Sequence, residues 1–251
     1  MPVWLALQNV RPKTHIIIFT STNVRLKYDL PFLPNLLTKA SQEILLNLSS
    51  KGSTLKFIRG LDERHIQKWE GAKIKWIYDA NKSGFKFKEY GENAITKSGD
   101  AKDTVNIDKV VINFGGGIDS YSVKYIQKEE KHGVLDMSMY TPVATKKDGE
   151  HIQEFFKSPI VQFLFLITQY SEPPNTKNEV HVANSITIPP QGIKDYYKYF
   201  DIEEHKAYIE DILEKYKAFK APKRAAKTAK AKAGDGGSYK PRNKTRKMRK
   251  L

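Results

Sequence analysis

Apolar residues alternate or run in short stretches over the first 140 positions and then shift to helical spacing. Residues 3–7 and 15–20 read as strands, and Ile16-Ile17-Ile18-Phe19 is too apolar to face water. Residues 24–28 alternate as an edge strand, and Pro31 and Pro34 mark a loop. Residues 39–48 change period: Ile44, Leu45 and Leu48 share one helical face, with Thr38 or Ser41 as the cap. Residues 52–60 and 74–78 are strand candidates, separated by a short polar helix that starts at Asp62. Residues 81–99 interleave lysines with Phe85, Phe87 and Tyr90. That spacing fits a hairpin with one aromatic face, and equally fits a strand that stacks bases and grips phosphate.

Lys109-Val110-Val111-Ile112-Asn113-Phe114 reads as a buried strand running into Gly115-Gly116-Gly117. Residues 121–126 and 134–140 flank a charged tip at 127–133 and predict a second hairpin. Residues 149–157 read as a short helix that leads to Ser158-Pro159. Ser158 caps the next helix, and Pro159 takes its first position, where a missing N–H costs nothing. Ile160, Phe163, Leu164 and Ile167 follow at helical spacing, and Val161, Phe165 and Leu166 widen the apolar face, so this helix belongs in a core. Glu172-Pro173-Pro174-Asn175-Thr176 breaks it. Residues 180–188 alternate loosely as a strand that ends at Pro189-Pro190. A tyrosine cluster and a last helix over 202–219 follow, with Ile209, Ile212, Leu213 and Tyr216 inward and Glu203, Glu204 and Glu210 outward. The pattern predicts an α+β fold with mixed or antiparallel sheet and packed helices in the C-terminal half. It divides into a strand-rich region over 1–100, a domain over 101–219 and a tail over 220–251.

Charge changes the picture only once it is located. The chain of 251 residues carries a net charge of +15. Residues 220–251 hold 13 Lys or Arg and one acid, a charge of +12; the remainder holds 30 basic and 27 acidic residues, a charge of +3. The tail has almost nothing to bury, so it is expected to be disordered and free to bind polyanions, nucleic acid first. The same residues read equally as a nuclear-localisation signal. With no cysteine there is no disulfide framework and no thiolate chemistry, which fits an intracellular protein. No apolar run reaches the roughly 18 residues that a membrane span requires, and residues 1–7 are too short for a signal peptide.

The run Ile188-Pro189, Asp195-Tyr196-Tyr197-Lys198-Tyr199-Phe200, Ile202 and Tyr208-Ile209-Glu210 resembles the closing segment of large adenine-specific DNA methyltransferases of restriction–modification systems. The resemblance covers residues 108–213 well and the first hundred loosely. In that family the segment closes the target-recognition domain. The resemblance therefore implies a specificity part that acts on double-stranded DNA. The Lys/Arg-rich ending also resembles tails of proteins from large DNA viruses.

The family's catalytic part requires S-adenosylmethionine and an Asp/Asn-Pro-Pro-Tyr/Phe motif that holds the flipped adenine. The two Pro-Pro pairs here, Pro173-Pro174 and Pro189-Pro190, lack both the amide or acid and the aromatic. Gly115–Gly117 has no clean Gly-x-Gly spacing with an upstream acid, and a strand follows it where a cofactor fold requires a helix. The resemblance thus implies recognition without catalysis, with no cofactor in this chain and S-adenosylmethionine belonging to a separate methyltransferase catalytic domain. Candidate DNA contacts are Lys86 and Lys88 beside the aromatic run, Lys124 and Lys128 on the hairpin, and Lys146 and Lys147 before the capped helix. No catalytic or metal-binding residue is assigned on this view. Two alternatives stay open: a nucleic-acid-binding structural protein of viral type, and a stand-alone nuclease that uses Asp119, Glu129 and Lys131 with a bound cation.

Overall fold

A computed structural model describes residues 34–36, 38–81, 83–96, 104–113, 121–169 and 176–219. The strands expected over 3–7, 15–20 and 24–28, the glycines at 115–117, Asp119 and the tail over 220–251 lie outside the described residues. The chain divides into two compact units, 1–213 and 214–251. The second is described only over its helical residues 214–219.

The first unit is α+β. Its elements run α1 (Lys39–Ser50), β1 (Ser53–Thr54), β2 (Ile58–Arg59), β3 (Ile66–Asn81), β4 (Gly84–Thr96), β5 (Lys109–Asn113), β6 (Ser122–Ile126), β7 (Gly133–Val134) and β8 (Ser138–Pro142). Then come α2 (Lys146–Lys157), α3 (Pro159–Thr168), α4 (Thr176–Ser185), β9 (Thr187–Ile188) and the one-turn α5 (Tyr196–Tyr199). The described helix over 206–219 follows.

Strand β5 lies at the centre of an antiparallel sheet in the order β2-β8-β5-β6. All five of its residues are buried, as the unbroken apolar run requires of a strand covered on both faces. Val110 and Ile112 join Val123, Tyr125 and Met139 beneath α2 and α3. Val111 turns the other way, into a cluster with Ile77, Ile126, Val134 and Tyr140 that the partly buried Phe85 completes. Helices therefore cover one face of the sheet, and the long β3–β4 ribbon, extended by β7 along β3, covers the other.

This order corrects the expected second hairpin. Strands β6 and β8 do not pair with each other; β5 lies between them and hydrogen-bonds to both. A central strand must be the most apolar of the set, and β5 is. Strand pairs also run across residue 100: β2 pairs with β8, and β1 pairs with β9.

The expected strand over 52–60 is interrupted. Asn184 accepts from the Phe57 backbone N–H at 2.6 Å and donates to the Phe57 carbonyl at 3.2 Å, taking the groups that a ladder would use. The expected strand over 180–188 is also corrected. Residues 176–185 form α4, and only Thr187 and Ile188 are extended. Val182, Ala183 and Ile186 are buried together; their spacing suits a helical face as well as a strand.

The helix starts follow the sequence closely. Thr38 caps α1 by accepting from the Ser41 N–H at 3.1 Å, and Ile44, Leu45 and Leu48 are fully buried. Helix α2 starts at Lys146, three residues before the expected position, because the Thr145 hydroxyl accepts from the Asp148 N–H at 3.1 Å. Ser158 serves two helices: its N–H ends α2 on the Phe155 carbonyl at 3.0 Å, and its hydroxyl caps α3 at Val161 N. At the C-terminal end, Ile202 and Ile209 are fully buried, while Glu203, Glu204 and Glu210 face water.

Helix α2 lies very close to β6. A Cβ built on Gly149 would stand 2.2 Å from the Tyr125 ring. Alanine ordinarily favours a helix interior over glycine by about 1 kcal/mol. Gly149→Ala should nevertheless destabilise the protein, by about 1–3 kcal/mol, because the ring or the helix must move. Urea unfolding measures this, and a stabilised variant would refute the close approach.

Glu179 on α4 is buried, and one of its carboxylate oxygens has no hydrogen-bond partner. Burial pushes its pKa from 4.5 up to about 7. Below pH 4.5 the group is protonated whether the chain is folded or not. Between there and about pH 7 the unfolded chain releases its proton while the folded one keeps it, so stability falls as pH rises. A shift of this size is worth on the order of 3 kcal/mol. Glu179→Gln should remove that loss: thermal melts should show it more stable than wild type at about pH 8 and little changed at about pH 4.

Candidate nucleic-acid interface

The six lysines expected to meet DNA lie on β4, β6, the turn at Lys128–Glu130 and α2, and four of them are paired with a local acid. Lys86 and Lys88 occupy one face of β4. Lys86 pairs with Asp79 at 2.5 Å and Lys88 with Glu63 at 2.8 Å, with Lys88 Nζ 5.0 Å from the centre of the Tyr78 ring. Glu63 also accepts from the Tyr90 hydroxyl. The Lys88 ammonium and that phenol hold the Glu63 carboxyl below its usual range. Lys124 on β6 pairs with Glu130 at 2.8 Å, and Lys146 with Glu150 at 3.7 Å. Lys128 and Lys147 are exposed and make no ion pair among the described residues. Exposed ion pairs contribute little to stability, but a phosphate that approaches these four lysines meets a carboxylate as well.

Of the acid-plus-Glu-x-Lys arrangement considered for a nuclease, Asp119 lies outside the described residues, and Glu129 and Lys131 fall on an exposed turn. Glu129 lies in the 3-10 turn Lys128–Glu130, and Lys131 follows it with a left-handed backbone at φ 49°. Lys124 donates to Glu130, and Lys131 donates to Asn106.

A different set of residues comes together where α2 meets α3. Gln153, Glu154 and Lys157 from α2, Ser158, Pro159 and Ile160 from the corner, and Lys194 to Tyr197 with Lys206 line an open cleft of about 660 Å³. Local chemistry explains why the tyrosine run faces it. Asp195 caps α5 by accepting from the Lys198 N–H at 3.1 Å. Phe200 and Ile202 then anchor the turn in the core, and the Tyr196 ring packs edge-on against Phe155 with centroids 5.2 Å apart. On the far side of the corner, His151 Nε2 donates to the Pro189 carbonyl at 2.7 Å. Pro189-Pro190 thus helps hold this segment against α2.

Lys157, Lys194 and Lys206 are exposed and form no ion pair among the described residues. Lys206 Nζ lies 5.5 Å from the centre of the Tyr197 ring. Glu154 and Asp195 also line the cleft, so its charge is three positive against two negative. Tyr196 is only 8% exposed. Its hydroxyl and that of Tyr197 are buried without a hydrogen-bond partner. Burial pushes both phenols up to about 12, with Glu154 adding to Tyr196, and Glu210 and Asp195 to Tyr197. Both hydroxyls therefore remain donors at any ordinary pH.

Lys157 also borders a second, smaller depression of about 380 Å³, which is lined by Ser83 to Phe85 of the ribbon turn, Tyr121 to Lys124 and Gln162. Lys157 therefore lines both hollows. Of the residues singled out from sequence, Phe85 and Lys124 border the smaller depression, and Ser158 to Ile160 with Asp195, Tyr196 and Tyr197 border the larger cleft. Lys157, Lys194 and Lys206 were not singled out. Nothing in their local sequence separates them from other surface lysines, and only the fold leaves them without acids.

Neither the family models nor the curated proteins compared with this chain match it. No helix among the described residues is long and apolar enough to cross a membrane.

An unpartnered buried hydroxyl costs about 1–3 kcal/mol in lost hydration. Tyr196→Phe should therefore leave the empty protein as stable or make it up to about 1 kcal/mol more stable, as read from urea unfolding. A loss of stability would mean that the hydroxyl serves the fold and not the cleft.

Proposed function

We propose that this chain is a DNA-recognition module of the kind found in adenine-specific DNA methyltransferases, and that it binds duplex DNA while a separate catalytic domain carries S-adenosylmethionine and transfers the methyl group. The observation that carries this reading is the cleft at the α2–α3 corner. The segment that resembles the methyltransferase recognition domain supplies its tyrosine wall, and three lysines stand there without carboxylate partners.

Lys157, Lys194 and Lys206 meet phosphate oxygens as mobile point charges, which sets affinity and orientation without base preference. The six lysines proposed from sequence remain part of the wider contact surface, with Lys128 and Lys147 the most available of them. The basic tail, +12 over 32 residues, adds a term that depends on salt and not on sequence. Neither Pro-Pro pair supplies the adenine-holding motif, so catalysis is assigned elsewhere.

Fluorescence anisotropy of a labelled duplex over a range of salt concentrations tests this reading. Replacing Lys157, Lys194 and Lys206 together with Ala should lower affinity about tenfold or more at low salt and flatten the log–log salt slope by about 2 to 3. Thermal stability should hold, because all three side chains are exposed. Unchanged affinity and slope would reject the cleft as the phosphate-contacting surface.

A further inference from the structure

We infer that the Tyr196–Tyr197 cleft is a receptor for a single unpaired nucleotide, and that the neighbouring depression across Lys157 holds the next residue of the same strand. This rests on the reading that the chain binds nucleic acid, and it names the form of nucleic acid that the cleft accepts.

Shape gives the first reason. A duplex presents its phosphates on a convex surface with the bases stacked inside, so it can touch the rim of a hollow but cannot fill it. The cleft holds about 660 Å³, within the range of sites that enclose a small ligand and ample for one nucleotide. Its lining is divided by chemistry. The Tyr197 ring and Pro159 offer apolar surface of the kind that takes the face of a base. Lys157, Lys194 and Lys206 are exposed, so their ammonium groups sit toward solvent, where a strand's phosphates would run.

The polar groups of the lining give the second reason. Tyr196 is more than nine-tenths buried, and its hydroxyl has no partner in the protein; the Tyr197 hydroxyl is likewise buried and unpaired. Both are donors that lack an acceptor. A base edge has carbonyl and ring-nitrogen acceptors to offer them after a small shift of the rings. The Gln153 oxygen already accepts from the Tyr125 N–H at 2.8 Å, which leaves its amide N–H groups as donors, and Glu154 and Asp195 offer acceptors for amino groups.

The third reason is continuity. Lys157 borders both hollows, and the smaller one also contains Phe85, Lys124 and Gln162. Gln162 is fixed by its donation to the Lys157 carbonyl at 2.8 Å. Aromatic and cationic groups that follow one another along a groove suit a single strand.

The test uses the full chain and three probes: a short single-stranded oligonucleotide containing 2-aminopurine, the same sequence as a perfect duplex, and free 2-aminopurine deoxynucleoside monophosphate. Stacking on Tyr197 should quench the single-stranded probe on binding and leave the duplex probe unquenched. Tyr197→Leu should abolish the quenching and weaken single-strand binding about fivefold or more. Because Tyr197→Leu also alters a half-buried ring, competition on the wild-type protein is a second measurement: the unlabelled single strand should displace the quenched probe better than the duplex does. Quenching of the free monophosphate as strong as that of the oligonucleotide would identify a free nucleotide as the ligand of the same receptor. Absence of quenching with either unpaired probe would overturn the inference. If the duplex still bound in that case, the recognition reading would survive alone; if no form bound, both would fall.

Discussion

Everything described in this chain hangs on a five-residue strand that has no wet side. Lys109–Asn113 is buried along its whole length, so it must be covered twice. Helices α2 and α3 close one face over Val110 and Ile112, and the ribbon closes the other over Val111. Buried polar groups at the strand's end are held by bonds that keep its register. Asn113 donates to the Met137 carbonyl at 3.1 Å and to the Ser138 hydroxyl at 2.6 Å. Once β5 is fixed, β6 and β8 are fixed on its two edges. The Gly149–Tyr125 approach then sets the distance of α2 from the sheet.

From that point the site follows from a corner. Ser158 ends one helix and starts the next with its own backbone and hydroxyl, so α2 and α3 change direction within one residue. A turn this tight leaves the last side chain of α2, Lys157, on the outside of the bend. It also leaves the apolar residues on both sides, Phe155, Phe156, Ile160 and Val161, in the core. The tyrosine run docks against the same bend through Phe155 and Phe200. The hollow between them is a consequence of two well-packed elements that meet at an angle, and its rim charges come from the residues that packing left outside.

How much of this was legible in sequence depends on the range of each interaction. The β5 run, the Ser158-Pro159 start and the inward face of α1 are local patterns, and the structure places them as read. Residues 176–185 were not legible because Val180, Val182, Ile186 and Ile188 keep a period of two, while Val182, Ala183 and Ile186, which are buried together, keep a helical spacing. The break at Phe57 depends on Asn184, 127 positions away. The order of β5, β6 and β8 is likewise non-local: a charged tip between two strands looks like a hairpin unless a third strand is known to come between them.

The same distinction governs the site. Lys88 looks like a free cation beside aromatics until Glu63, 25 positions earlier, is seen to accept from it. Lys86 and Lys124 meet their acids seven and six positions away, Asp79 across the β3–β4 hairpin and Glu130 beyond the end of β6. A lysine's worth to an anionic partner depends on what the fold places beside it, because a carboxylate within hydrogen-bond distance cancels most of its field at the range of a phosphate. By that measure the surface suggested by lysine-and-aromatic spacing is weaker than it reads, and the cleft is stronger. Its cations are spread over α2, the loop before α5 and the following helix, and no sequence window contains all three. What marks them is shared geometry and the absence of partners, together with two buried phenols that the fold has left with protons to donate. Both hydroxyls belong to residues that line an open hollow, where the proposed ligand would supply the acceptors that the fold does not.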